Sequence, residues 1–336
     1  EINTMSHKIH KILILFKHNN MDKQISFVIP IHPPHYKYVS FLDNLTDAAE
    51  FTIFFVLTTT NEKVCLISHI HNYTTTGFKN IRYIVLEEDP EIANHITQFN
   101  HRDKGIINMK KLYALHYLSK NAEYTKFDYI AVIDSEIKFI NTKNIYNKFK
   151  SYCDKKQVIA GNTTIRNNIH SFLDNIHSHS IKHFNSKDID KINKETNNGK
   201  YYFWYSDINV YDRKIVPEFL SYIEFDNLSK FIPKISFWSF DYVIYYYYCI
   251  AFHNYKILCM EDYGIERQWS LEAASYKVYK QVIDKMDYTS NIVISNCYYK
   301  NKNVFVSDDN EPLLIYNLND GRYNNIYDRK VDYLDN

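Results

Sequence analysis

Residues 127–136 read Phe-Asp-Tyr-Ile-Ala-Val-Ile-Asp-Ser-Glu. Tyr129 to Ile133 run without a polar break and stop at two carboxylates, Asp134 and Glu136. A continuous apolar run, rather than an alternating one, suits a parallel strand covered on both faces. Open α/β sheets bind ligands outside the carboxyl ends of such strands. Hard carboxylate oxygens there suit Mg²⁺ or Mn²⁺, which bridge protein carboxylates to a diphosphate and neutralise it as it leaves. Taken alone, the acidic pair also reads as an ordinary solvated turn.

Working outward, Ser26–Ile31, Phe51–Leu57 and Ile81–Leu86 repeat the strand pattern, and Gln157–Ala160 begins another. Between them lie helical patterns at Tyr36–Leu45, Glu62–His71 and Gly105–Ser119. The last places Ile106, Met109, Leu112, Tyr113 and Tyr117 at helical spacing. Strands separated by helices imply β-α-β units and a largely parallel sheet. Asn167–Lys200 is polar and reads as a long surface loop or helical excursion. Beyond it come a helix near Pro217, an apolar helix over Asp241–Phe252, a strand over Tyr255–Met260 and a helix over Trp269–Lys285. The tyrosines 245–248 read as one buried helix with its hydroxyls at the edges. The residues after Asn301 read as short strands and turns. With no clear linker, the pattern is one α/β domain with a mixed C-terminal half.

Composition narrows the function. Forty basic against 39 acidic residues leave a net charge of +1, without the basic field a nucleic acid or a polybasic membrane contact needs. Only six glycines are present, at 77, 105, 161, 199, 264 and 321. Their spacing excludes a G-x-G-x-x-G dinucleotide turn, a phosphate loop and a G-x-S-x-G elbow. Five cysteines, none in a C-x-x-C, argue against a zinc knuckle or a disulfide framework and for a reduced, cytoplasmic setting. The longest apolar stretch, Tyr242–Phe252, has eleven residues against the roughly 20 of a membrane span.

Phe27-Val28-Ile29-Pro30, then Lys111-Leu112-Tyr113-Ala114-Leu115, then Asp134-Ser135-Glu136 after its strand resemble, in order and spacing, the nucleotide-sugar glycosyltransferases of the GT-A fold, family-2-like and inverting. The resemblance covers roughly residues 25–165. It departs where many members have Asp in place of Glu136. It implies a GT-A, Rossmann-like, mostly parallel central sheet flanked by helices. It divides the chain into a nucleotide-sugar-binding half at 22–165, an acceptor-binding half at 166–300 and a tail at 301–336. The implied activity is transfer of a sugar from a nucleoside diphosphate, UDP, to a hydroxyl of a glycan or glycoconjugate. The implied metal is Mn²⁺ or Mg²⁺ on Asp134 and Glu136. A retaining transferase of the same fold and a noncatalytic glycan-binding protein on its scaffold stay open. A nucleotidyltransferase would want a glycine-rich loop near its first strand, which is lacking.

The resemblance also implies roles. Lys111 on the helix before the metal strand would meet the diphosphate as a point charge, while Lys110 beside it reads as an ordinary solvent-facing lysine. Pro30, Ile31, His32 and Thr58 would line the base and ribose pocket; turn chemistry explains them equally well. An inverting enzyme needs a base for the acceptor hydroxyl. Asp241, in Phe237-Trp238-Ser239-Phe240-Asp241-Tyr242, is the candidate, with a helix N-terminal carboxylate as the plain alternative. Arg267 could clamp a phosphate or pair with Glu261 or Asp262. His170, His177, His179 and His183 lie in the polar stretch and read as a solvated segment rather than a metal site.

Overall fold

Side chains along β1 (Gln24–Pro30) alternate between two cores: Phe27 and Ile29 face one, Val28 the other, all fully buried. In β2 (Phe51–Leu57), Phe54 and Val56 share the side of Val28, while Ile53, Phe55 and Leu57 face away. In β4 (Phe127–Ile133), Ile130 and Val132 oppose Ala131 and Ile133. The side-chain period of two with both faces apolar is why these stretches read as unbroken runs. The computed structural model describes residues 24–42, 51–73, 80–135, 137–139, 145–162, 170–203, 208–259 and 315–317 of the 336.

The central sheet has the order β3-β2-β1-β4-β8, where β3 is Ile81–Val85 and β8 is Ile208–Asp212. The pairs β1–β2, β2–β3 and β1–β4 are parallel, and β8 runs antiparallel to β4. The mostly parallel α/β sheet expected from the sequence is therefore present, with one reversed strand. Helices α1 (Thr60–Tyr73), α2 (Ile106–Lys120) and α3 (Ile145–Asp154) flank it. Met109, Leu112 and Leu115 of α2 fill the core around Val28, and Phe149 of α3 fills the core around Phe27.

Two expectations are corrected, and a third, left between two readings, is resolved. The strand begun at Gln157 lies in a separate three-stranded sheet, where β6 (Gln157–Asn162) pairs in parallel with β9 (Lys256–Cys259) and antiparallel with β7 (Tyr201–Tyr202). Next to β4 sits β8 instead, which gives Ile208 and Val210 to one core and Tyr211 to the other. The helix at Tyr36–Leu45 is a 3-10 helix over Pro33–Leu42. The polar stretch forms two further helices, α4 (His170–Ser180) and α5 (Ser186–Glu195), which bury Leu173, Ile176 and Ile192. Their few apolar residues are spaced three or four apart, enough to dock a helix whose other faces are polar. The segment between them buries His183.

Helices α6 (Val216–Tyr222) and α7 (Asp241–Phe252) complete the core beside α2. Tyr245, Tyr246, Tyr247 and Tyr248 are buried as expected. The hydroxyls of the first three are not at the edges but bonded inside the core. Tyr245 accepts from the Asp212 amide at 3.1 Å, Tyr246 donates to Asn209 Oδ1 at 3.3 Å and Tyr247 meets His177 Nδ1 at 2.8 Å. A short strand, β10 (Ile315–Asn317), runs antiparallel to β5 (Ile137–Phe139). Glu136, Arg267 and the segment Trp269–Lys285 lie outside the described residues. Among the described residues no helix is long and apolar enough to cross a membrane.

Candidate functional site

The carboxyl ends of the parallel strands open into a cleft of about 530 Å³. β1 delivers Pro30 and His32, β2 delivers Thr58, and β4 delivers Asp134 and Ser135. Because β8 is reversed, its start meets the ends of the others and brings Asn209 to the same wall. The first turns of α2 supply Lys110 and Lys111, and Phe237, Phe240 and Tyr242 form the far rim.

Lys111 sits between two carboxylates. Its Nζ donates to Asp134 Oδ1 at 3.0 Å and lies 3.8 Å from Asp241 Oδ1. The carboxylates differ in environment: the Asp134 side chain is 44% exposed and lines the cleft, whereas that of Asp241 is 0% exposed. Asp241 stands behind Lys111, where Tyr211 of β8 donates its hydroxyl to Oδ2. Burial pushes the Asp241 carboxyl above its ordinary range, against the pull of Lys111 and the Tyr211 bond. The same burial, beside that carboxylate, pushes the Tyr211 hydroxyl well up.

Lys110 is no solvent-facing lysine. It is 2% exposed, donates from Nζ to the Ile31 carbonyl at 2.8 Å and stands 3.5 Å from Glu62 Oε2. Burial draws its ammonium below its ordinary value, and Glu62 opposes the shift. Glu62 Oε2 also accepts from the Thr58 amide at 2.7 Å. One buried ion pair thus ties the ends of β1 and β2 to the starts of α1 and α2. Beside it, His35 Nδ1 lies 2.7 Å from Ser135 Oγ, and the rings of His32 and His35 are 4.0 Å apart.

The rim is locked to α2. Gly105 has φ +89°, and a Cβ there would stand 2.7 Å from the Ser236 carbonyl oxygen. A left-handed residue in backbone contact admits only glycine. Asn108 Nδ2 donates to the carbonyls of Ser236 and Phe237 at 2.9 and 3.0 Å. The Arg102 guanidinium lies 5.0 Å from the centre of the Phe237 ring.

Of the residues singled out from sequence, Pro30, His32, Thr58, Lys111 and Asp134 converge on this cleft. The Ile31 side chain is instead buried in the core, and only its carbonyl is used, by Lys110. Asp241 touches Lys111 but does not line the cleft. Trp238 packs edge-on against Phe172, centroids 4.9 Å apart. The sequence reading gave no role to Glu62, His35, Asn209 and Arg102, and took Lys110 for a solvent-facing residue, though all are on the cleft wall. Lys110 carried a signal: it falls four residues after Ile106 and three before Tyr113, on the apolar stripe of α2.

The donor set bears on the metal. Among the described residues no group of three or more His, Cys, Asp or Glu side chains could hold an ion. Mg²⁺-type sites, however, commonly use one or two carboxylates completed by substrate phosphates. Asp134 suits that arrangement, because it presents hard oxygens to the cleft and already holds a cation, the Lys111 ammonium.

No family model matches the chain, and no curated protein matches it in sequence. Solved structures to which the chain is distantly similar include three sugar transferases. The galactosyltransferase LgtC in complex with donor and acceptor sugar analogues is 12% identical, covering 66% of this chain and 70% of that one, with a TM-score of 0.37. Mouse xyloside xylosyltransferase 1 in its apo form is 10% identical over 89% of this chain and 98% of that one, TM-score 0.41. The mannosyltransferase Ktr4p from S. cerevisiae is 11% identical over 64% of each chain, TM-score 0.33.

Proposed function

We propose that this chain is a glycosyltransferase that moves a sugar from a nucleoside diphosphate donor, UDP-linked, to a hydroxyl of a glycan or glycoconjugate. One observation carries the reading: a cleft at the carboxyl ends of β1, β2 and β4 holds Asp134 beside the Lys111 ammonium on its wall. That is where an α/β sheet takes its ligand, and the paired charges suit a diphosphate with a divalent cation.

The residues divide the work. Pro30, His32 and Thr58, on the β1 and β2 side, border the space for base and ribose. Lys110 and Glu62 hold that side rigid. Lys111 faces the diphosphate as a point charge. Asp134, with Glu136, would hold Mn²⁺ or Mg²⁺, which when bound supplies positive charge to the leaving diphosphate. Phe237, Phe240 and Tyr242 offer apolar faces to an acceptor at the far rim.

Asp241 was the base expected of an inverting reaction. Its complete burial behind Lys111 favours the second reading, a retaining transferase in which Asp241 deprotonates nothing. NMR of the product's anomeric proton separates the two.

A hydrolysis and transfer screen across sugar nucleotides with Mn²⁺ tests the proposal. A thermal upshift with UDP and Mn²⁺, and turnover lost in Asp134→Asn, are the expected results. Full activity in Asp134→Asn refutes the metal assignment. Absence of any shift with any nucleotide favours the noncatalytic glycan-binding alternative.

A further inference from the structure

Asp134 and Asp241, acidic neighbours of Lys111, are unequal, and the inequality has a direction. Lys111 Nζ is 3.0 Å from Asp134 Oδ1 and 3.8 Å from Asp241 Oδ1. Tyr211 occupies Oδ2 of Asp241, while Oδ1 accepts no hydrogen bond among the described residues. A buried carboxylate oxygen lacking a donor is costly. The nearest ammonium would need to move only about 1 Å to reach charge-assisted bonding distance. Lysine suits such a move, having a flexible four-carbon stem and three rotatable donors.

We infer that Lys111 is a resident counter-ion of Asp134 that yields its place to a divalent cation and docks on Asp241 Oδ1. The inference rests on the reading of Asp134 as a metal ligand, and deepens it. An ammonium left against Asp134 would repel an arriving cation. Asp241 gives Lys111 a second seat, pre-set by Tyr211, from which its charge still faces the cleft. Asp241 is then a positioning residue acting through Lys111, which accounts for a carboxylate that is completely buried yet sits one side chain from the site.

The test is a Mn²⁺ titration of the whole chain, followed by the electron paramagnetic resonance signal of free Mn²⁺, with and without UDP. Wild type, Lys111→Met, Asp241→Asn and the double variant form a cycle. Without UDP, removing the resident cation in Lys111→Met tightens Mn²⁺ binding at least about fivefold. Asp241→Asn weakens binding by a similar factor, and this weakening vanishes once Lys111 is methionine, since Asp241 acts only through Lys111. Equal weakening in both backgrounds overturns the exchange and leaves Asp241 a plain charge. Unchanged or weaker binding of Mn²⁺ alone in Lys111→Met overturns it too, and needs no other variant to fold. Wild type that binds no Mn²⁺ under either condition, or Asp134→Asn that binds it undiminished, removes the metal reading itself. That outcome is distinct from Asp134-dependent binding with an additive cycle.

Discussion

Lys110 Nζ donates to the carbonyl oxygen of Ile31 at 2.8 Å, joining the first turns of α2 to the end of β1 through a buried ammonium. The Ile31 carbonyl lies just past the last residue of β1, where the parallel ladder no longer supplies donors, and Lys110 takes over. Lys110→Met keeps the stem but strands that carbonyl and one side of Glu62. It should lower unfolding free energy by about 1–3 kcal/mol in chemical denaturation. It should also weaken the UDP-induced thermal shift, because Pro30 and His32 lose their tether. A variant as stable as wild type would show that the Ile31 carbonyl finds water instead.

Gly105→Ala introduces a methyl group 2.7 Å from the Ser236 oxygen, at a φ that L-residues avoid. Left-handed backbone alone costs about 1–2 kcal/mol, and the neighbour is backbone that cannot turn aside. The expected result is a loss above that range. It should be accompanied by a change in the near-ultraviolet signal of the Phe237–Tyr242 rim, which is braced on α2 through Asn108. A loss below about 1 kcal/mol would mean that the Ser236 segment yields easily.

Much of this was legible beforehand and some was not. The runs at Phe27–Ile29, Phe51–Leu57 and Tyr129–Ile133 announced buried strands because both faces of the sheet are covered. Asp134 was legible from its place at a strand end and Lys111 through the resemblance, though not their ion pair with each other. The reversed β8 was not. Ile208 to Asp212 is too short to show a direction, and pairing with β4 is a long-range choice made by Tyr211 and Val210 fitting opposite cores. Lys110 was hidden by its type, since lysine is read as solvent-facing and only its register on the α2 stripe said otherwise. Asp241 looked like a site residue because the resemblance implies an acidic helix start beside aromatic residues; its burial, with Tyr211 thirty positions earlier bonded to it, was not legible.

His183 makes stability pH-dependent. It is buried against Phe231, neither ring nitrogen has a hydrogen-bond partner among the described residues, and burial beside Lys234 and Lys182 draws its pKa down to about 3. In the unfolded chain a histidine titrates near about 6.5. Between those values the unfolded state binds the extra proton, so this contribution is intact above about 6.5 and is lost as pH falls toward 3. The slope from this one residue approaches about 1.4 kcal/mol per pH unit. Denaturation of wild type and His183→Phe at pH 7, 5.5 and 4.5 should show the gap between them shifting in favour of the variant as acid is added. A gap that stays constant with pH would place His183 in contact with water.

The two carboxylates that share Lys111 should respond differently when removed. Asp134 is 44% exposed, and the buried Lys111 keeps Asp241 as a second carboxylate, so Asp134→Asn should change stability by less than about 1 kcal/mol while abolishing the Mn²⁺-dependent shift with UDP. Asp241 is wholly buried, and Asp241→Ala leaves the Tyr211 hydroxyl without its acceptor in a closed core. That alone should cost about 1–3 kcal/mol. Paired denaturation and UDP-shift measurements on both variants separate the cleft-facing carboxylate from the supporting one. If Asp134→Asn proves the more destabilising, the strand end is held by its ion pair rather than by the sheet behind it, and the assignment of Asp134 to ligand chemistry loses its footing.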